Sequence, residues 1–335
     1  MTANNTNESN YAQKIAEIAA FTRAHQGPIF IAAHEDPDGD AIGSILGLSR
    51  ALQQLGLDAH PVATSPRYLS FLPEPGELLE PQTVLPDNSL VMALDASEIP
   101  RVVGLPMTQP GLEIINIDHH GTNSRWGRIA LIEPGKAATA MIIKDIIDAL
   151  GVKWDARLAT PVLTGLITDT GSFRFPNTTP DVLEMAAVLV AYGAPLADIN
   201  EFIATQPRNA LRLQAEVLST IEYPFDGQVV TAFVNQAMLD RVGCSWEEVE
   251  SLVSIIRTAE GTQLAALLKD YGGDRVKLSL RSRGKVSAQN VAVACGGGGH
   301  VAAAGATILA PFAQARVKLL EAVKAEFQRV GLETM

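Results

Sequence analysis

The sequence predicts an α/β protein in two folded parts. A mostly parallel, doubly wound sheet makes the N-terminal part. A helical connector follows, then a smaller α/β part, with the active site expected in the cleft between the domains. Three observations carry this reading. Apolar runs of strand length at 28–33, 90–94 and 112–117 alternate with longer stretches of helical spacing, which is the pattern of βαβ units. Each run ends at a polar residue: His34, Asp95 and Asp118. The length of 335 residues, 47% of them hydrophobic, suffices for about two ordinary domains with cores of their own.

Taken in order, PIFIAA at 28–33 is a buried strand, because a continuous apolar run bounded by turn signals is covered on both faces. Residues 40–55 have helical apolar spacing and stop at Gly56, a residue that favours helix ends. A short strand at 58–62 follows, then LVMAL at 90–94, LEIINI at 112–117 and an edge strand at 128–132. Residues 137–150, 155–167 and 180–192 read as helices. Residues 196–220 are helical with a break at Gln206 and Pro207, and read as the connector. A second set begins at Gln228. It comprises the strand VVTAFV, a helix at 245–260, strand pieces at 263–268 and 276–280, a helix near Ala288, a glycine-rich turn and a helix at 311–330. The domains are therefore expected at 11–195 and 223–335, with 196–222 as connector. The polar start MTANNTNESN reads as disordered.

Composition excludes several classes. The net charge of -11 argues against long nucleic acid held by counterion release. A short anionic ligand remains compatible where metals or a local arginine cluster supply positive charge. Two cysteines, Cys244 and Cys295, make no disulfide framework. The first ten residues lack the basic and apolar regions of a secretory signal, and no apolar run approaches the roughly 20 residues of a membrane span. A soluble, cytoplasmic protein is expected.

In open α/β sheets, ligands collect at the carboxyl ends of the strands. The first strand end offers His34, Asp38 and Asp40, the second Asp95, and the third Asp118, His119 and His120. Asp169 closes the helical stretch VLTGLITDTGSF. Side by side these groups would converge, and uncompensated carboxylates raise one another's pKa. Divalent cations invert that logic. A mixed His/Asp set suits Mn, Zn or Fe better than Ca, and about six donors suit two metals roughly 3.5–4 Å apart. Each residue alone has a plainer reading. Asp38-Gly39 makes a turn and Asp40 caps the next helix; the two histidines lie on the surface; Asp95 and Asp169 are polar element ends. Their joint occurrence at successive strand ends favours the metal site.

HEDPDGDAIGS (34–44), LDAS (94–97), DHH (118–120) and TDTGSFRF (168–175), in that order, resemble the four motifs of the DHH phosphoesterases. SLRSRG (279–284) and GGGGHVAAAGA (296–306) resemble the GGGH-type DHH-associated domain. The resemblance runs from about residue 29 to residue 307. It implies one metal held by His34, Asp38 and Asp95, and a second held by Asp40, Asp95, His119 and Asp169, with Asp95 bridging and manganese as the usual ion. His120 would contact phosphate or orient the site, and Asp118 would fix an imidazole by hydrogen bond, making Asp95, His120 and Asp118 the catalytic group. Members often carry Asn where this chain has Asp36, a position that is not a ligand; the change adds one negative charge.

Recognition would come from the C-terminal part. Arg281 and Arg283 flank Ser282 and so would share one side of a strand, and guanidinium forks suit phosphate. Gly297, Gly298 and Gly299 would bring backbone N–H groups to a ligand with no Cβ in the way. By the resemblance His300 would contact the phosphate or nucleotide, with Asn290 and Arg174 as further candidates. The activity implied is two-metal hydrolysis of a phosphoester. Long exonucleases of the family carry extra modules for which the chain has no room, and the family's pyrophosphatases lack GGGH. The compact remainder resembles nano-RNases, which degrade very short RNA to 5′-mononucleotides and convert adenosine 3′,5′-bisphosphate (pAp) to AMP. Two alternatives stand beside it: a phosphodiesterase of linear or cyclic dinucleotides (pApA, c-di-AMP), and a non-catalytic nucleotide-binding sensor. Partners are then a short RNA or nucleotide, with no long nucleic acid and no membrane, and a homodimer left open.

Overall fold

The computed structural model describes residues 2–332. The chain divides into two compact units, Met1–Thr205 and Gln206–Met335, each built on its own five-stranded sheet. The first unit runs α1 (Thr2–Ala24), β1 (Ile29–Ala32), α2 (Gly39–Gln54), β2 (Ala59–Pro61), β3 (Leu90–Leu94), β4 (Glu113–Asp118), β5 (Ile129–Ile132), α3 (Thr139–Ala149), α4 (Ala156–Asp169), α5 (Pro180–Ala191) and α6 (Leu196–Ala204). All pairings in its sheet are parallel, in the order β2-β1-β3-β4-β5. Strands β1 and β3 are buried at every position. That is why both read as unbroken apolar runs rather than alternating ones.

On one face, Ile29, Ile31, Met92, Leu94, Ile115 and Ile117 join a core with residues of α1, α2, α3 and α4. The other face has a separate apolar cluster. Phe30, Ala32, Val91 and Ala93 are covered there by Val62, Leu85, Val102 and Leu105, which lie in loops rather than in helices. The strand order reverses between β1 and β3. A crevice opens at such a switch point, beyond the carboxyl ends of the two strands.

The expected disordered start is corrected: α1 covers Thr2–Ala24, and Met1 lies outside the described residues. Ile15, Ile18, Ala19 and Thr22 are buried along α1, a spacing of one helical face. Once that face is docked, extending the helix costs far less than starting it.

The second unit runs α7 (Arg208–Leu218), β6 (Val229–Asn235), α8 (Gln236–Val242), α9 (Leu252–Ile256), β7 (Leu264–Asp270), β8 (Arg275–Ser282), α10 (Ala288–Ala294), β9 (Gly298–Gly299), β10 (Ala303–Leu309) and α11 (Phe312–Val330). Its sheet order is β6-β7-β8-β10-β9. Only β6–β7 is parallel, and the remaining pairs are antiparallel. The single helix expected at 245–260 is broken. Ser245 caps a short 3₁₀ turn, Trp246–Val249, through a capping box with Glu248, and α9 begins only at Leu252. Strand β10 was not read, because its alanines favour helix. The sheet overrides that preference: Ala304, Ala306 and Ile308 alternate into the core. The stretch read as connector is divided, with α6 in the first unit and α7 in the second. Among the described residues no single helix is long and apolar enough to cross a membrane.

Candidate active site

The donors gather at the carboxyl ends of β1, β3 and β4 and at one end each of α2 and α4. His34 follows β1 and is buried. Asp38 caps α2, its Oδ1 accepting the Asp40 and Ala41 N–H groups at 3.0 and 3.1 Å. Asp95 follows β3 in a left-handed conformation, φ 53°. This turns the side chain out of strand alternation while its N–H still donates to Ile117 O at 2.9 Å. His119 and His120 follow β4, and Asp169 is the last residue of α4.

Helix α4 reaches the others because α2 lets it. A Cβ on Gly39 would stand 2.4 Å from the Thr168 side chain, one on Gly43 2.3 Å from Pro161 O, and one on Gly47 2.6 Å from Val162. A Cβ on Gly165 would stand 3.0 Å from Asp40 Oδ1. The two helices therefore meet backbone to backbone.

The resulting distances define three overlapping groups in which every donor atom lies within 4.8 Å of the others: His34, Asp38, Asp95; Asp40, His119, Asp169; and Asp95, His119, His120. His34 Nε2 lies 3.5 Å from Asp95 Oδ2 and 4.0 Å from Asp38 Oδ1. His119 Nε2 lies 3.3 Å from Asp169 Oδ2, 3.7 Å from Asp95 Oδ1 and 4.0 Å from Asp40 Oδ2. Asp95 belongs to two groups, one oxygen toward each. Glu35 and Asp36 are exposed and belong to none of the three.

Electrostatics follows from this crowding. Burial pushes the Asp40 carboxyl well above the usual range, and the charges of Asp95 and Asp38 push the same way. Asp169 rises well for the same reasons, burial first, then Asp40, Asp38 and Asp95. Burial also acts on Asp95, but hydrogen bonds from His120 and His34 overcome it and hold that carboxyl well below the usual range. Burial would lower His120, yet Asp118 and then Asp95 raise it to about 11. The charged form of Asp95 is thus favoured by neighbouring imidazoles, while burial and like charge disfavour the charged forms of Asp40 and Asp169.

Groups with a raised folded-state pKa bind protons more tightly folded than unfolded, so their contribution to stability fades as pH rises. Asp40, Asp169 and His120 act in this sense and Asp95 in the opposite one. We expect chelator-treated protein to lose thermal stability as pH climbs from the ordinary carboxylate range to neutrality. Added Mn²⁺ should raise Tm more at neutral than at acidic pH. A Mn²⁺ shift equal at both would contradict this account.

The model of the DHH family, N-terminal domain, matches residues 28–166, and that of the DHHA1 domain matches residues 226–329. The chain belongs to the DHH family. It is 48% identical over 328 residues to the bifunctional oligoribonuclease and PAP phosphatase NrnA of Thermus thermophilus, spanning 98% of both chains. The fold resembles the crystal structure of an exopolyphosphatase-related protein from Bacteroides fragilis, at TM-score 0.85 and 23% identity over 95% of this chain and 97% of that one. It also resembles RecJ from Thermus thermophilus, crystallised in complex with Mn²⁺, at TM-score 0.55 and 16% identity over 94% of this chain and 55% of that one.

Around the donors of this DHH protein lie buried polar residues, of which sequence reasoning named Asp118 and Asp40 but not Asn116, Asn123 or Thr139. Asp118 is fully buried. Its Oδ1 accepts from His120 Nδ1 at 2.7 Å, and its Oδ2 accepts from Asn123 Nδ2 at 2.7 Å. Asn123 also donates to Asn116 Oδ1 at 2.9 Å, and Asn116 donates to Ala96 O at 3.2 Å. Asp40 caps α3 from outside that helix, accepting the Thr139 and Ala140 N–H groups at 2.6 and 2.8 Å. The N-cap residue of α3 itself is Ala138, which has no side-chain cap. An asparagine inside LEIINI was the available signal for Asn116. Thr139 gave none.

The substrate candidates fall in the second unit except Arg174, whose Nε donates to Gly171 O at 2.7 Å in the loop after α4. Arg281 is half-buried on β8, pairing with Ala303 and Ala265. Arg283 is exposed and lies beyond that strand. Ser282 is buried, donating to Val301 O at 2.8 Å and accepting the Ala288 N–H at 3.2 Å, so its hydroxyl shapes the turn. Asn290 donates to Glu326 at 3.0 Å and ties α10 to α11. A Cβ on Gly297 would stand 2.1 Å from Gly305 O, and one on Gly299 2.6 Å from Ala304, whereas Gly298 has nothing within 4 Å. Two of the three glycines are thus explained by close passage along β10. The His300 N–H donates to Ala303 O at 2.7 Å, closing the same turn.

Proposed function

We propose that the protein is a metal-dependent phosphoesterase that hydrolyses short oligoribonucleotides to 5′-mononucleotides and pAp to AMP. The observation that carries the reading is the convergence of His34, Asp38, Asp40, Asp95, His119 and Asp169 within overlapping clusters. The relative that shares 48% of its residues bears that pair of activities in its name. We assign His34, Asp38 and Asp95 to one cation and Asp40, Asp95, His119 and Asp169 to a second, both Mn²⁺.

The donors suit such ions. The set mixes imidazole and carboxylate, as Mn, Zn and Fe prefer, and Asp40 and Asp169, buried among like charges, are poorly compensated by protein groups alone. When bound, divalent cations supply Lewis acidity and acidified water for attack on phosphorus. The protein's own groups do the rest. His120, kept protonated by Asp118 and Asp95, offers a positive donor to a phosphate oxygen. Asn123 holds Asp118 in the rotamer that fixes that imidazole. In the second unit, Arg281, Arg283 and His300 contribute charge and donors for the phosphate end of a short substrate, and Gly297, Gly298, Gly299 and the turn built by Ser282 and Asn290 shape the backbone there. We assign Arg174, in the first unit, to substrate binding as well. The net charge of -11 suits a short substrate better than a long one. Cys244 and Cys295 are free thiols, in keeping with a cytoplasmic setting.

The test is a substrate panel with Mn²⁺: an RNA dinucleotide, pAp, a cyclic dinucleotide, long RNA and pyrophosphate. We expect turnover of the first two and little of the last two. Preference for the cyclic dinucleotide, or nucleotide binding with no turnover, would replace this reading.

A further inference from the structure

Four donors from four different elements are held by one short stretch of chain, residues 136–140. His119 Nδ1 lies 3.3 Å from Lys136 O. Asn177 Nδ2 donates to Ala137 O at 3.3 Å and to Asp169 O at 3.1 Å, joining the stretch to the end of α4. The Thr139 and Ala140 N–H groups grip the two oxygens of Asp40. The Thr139 hydroxyl donates to Asp95 Oδ1 at 3.0 Å. Asp40, Asp95, His119 and Asp169 are the donors assigned above to the second cation, and none of these bonds reaches His34 or Asp38.

Thr139 makes the one side-chain contact from this stretch to a donor carboxylate among these bonds, and it is fully buried. The oxygen it chooses matters. Asp95 Oδ1 is the atom nearest His119 and His120, at 3.7 and 3.3 Å, while Oδ2 faces His34 at 3.5 Å. A carboxylate free to rotate about its Cβ–Cγ bond would exchange the two oxygens. A fixed donor on one of them stops that rotation.

We propose that residues 136–140 form the outer frame of the second cation site, and that Thr139 is its positioning residue, dividing the Asp95 oxygens between the two sites. The inference rests on the two-cation reading given above. Outer hydrogen bonds of this kind are worth about 10–100-fold in metal affinity.

The experiment is calorimetric titration of Mn²⁺ into chelator-stripped protein, comparing wild type, Thr139→Val and Thr139→Ser, with thermal melts to verify folding. Wild type should bind two ions. Thr139→Val keeps the shape and loses the hydroxyl, and should weaken one site about 10–100-fold with the other unmoved. Thr139→Ser keeps the hydroxyl and should stay near wild type. If Thr139→Val fails to fold, Asn177→Ala, which removes the tie between Ala137 and Asp169, should weaken the same site. Wild-type affinities in the valine variant, or equal weakening of both sites, overturn the frame. A wild type that binds a single ion overturns the two-cation reading and this inference with it.

Discussion

Replacing Asp95 with asparagine should cut Mn²⁺-dependent hydrolysis of an RNA dinucleotide and of pAp by more than about a thousand-fold. Metal-borne stabilisation of developing charge is worth several kcal/mol, and each ~1.4 kcal/mol is tenfold in rate. Asp95 stands in two of the three donor groups, so its loss damages both assigned sites together. Asparagine is the substitution of choice because residue 95 has φ 53°, a conformation that Asn tolerates and most residues do not. Asp95→Ala would add roughly 1–2 kcal/mol of backbone strain to the chemical loss. Comparing the two in a melt separates folding from catalysis. An asparagine variant within about tenfold of wild type, at most ~1.4 kcal/mol, would remove Asp95 from its shared position.

The second large effect is expected at His120. Its alanine variant should lose on the order of 10²–10⁴ in kcat/KM, the range for a positioned proton donor. Asp118→Asn is the finer probe. Asp118 and Asp95 hold the imidazole up at about 11, so taking one carboxylate charge away lets His120 give up its proton at lower pH. The basic limb of the kcat/KM profile should move to lower pH in Asp118→Asn, and activity at neutral pH should fall about 10–100-fold. A limb that stays in place, or full activity in His120→Ala, would show that the proton on His120 is not used.

The donors were legible because they stand where one kind of local rule ends and another begins. A strand buried on both faces leaves a continuous apolar run, and the first polar residue after it marks the strand's carboxyl end. His34, Asp95 and, one residue past Asp118, His119 could be found that way, and parallel neighbours then had to bring them together. Asp118 was read as strand end too, although it is the last residue of β4. Thr139, Asn123 and the extrahelical cap that Asp40 supplies to α3 were not legible, since each acts across a separation that sequence pattern does not encode. Asp40 itself illustrates the limit. Its plain reading was a cap for the next helix, but Asp38 caps that helix and Asp40 caps one nearly a hundred positions further along. The missed strand β10 has a tertiary cause: pairing with β8 and β9 outvoted the intrinsic preference of its alanines.

The glycine seam between α2 and α4 changes what counts as a functional position in this enzyme. Gly39, Gly43, Gly47 and Gly165 carry no chemistry, yet side chains there would collide at 2.3–3.0 Å with α4 or with Asp40. A single methyl at Gly43 would lever Asp169 away from His119 without touching either. Natural variation that is read only for loss of ligands would pass over such an allele as silent. The target that mutation presents therefore extends along a helix seam, well beyond the atoms that meet the substrate.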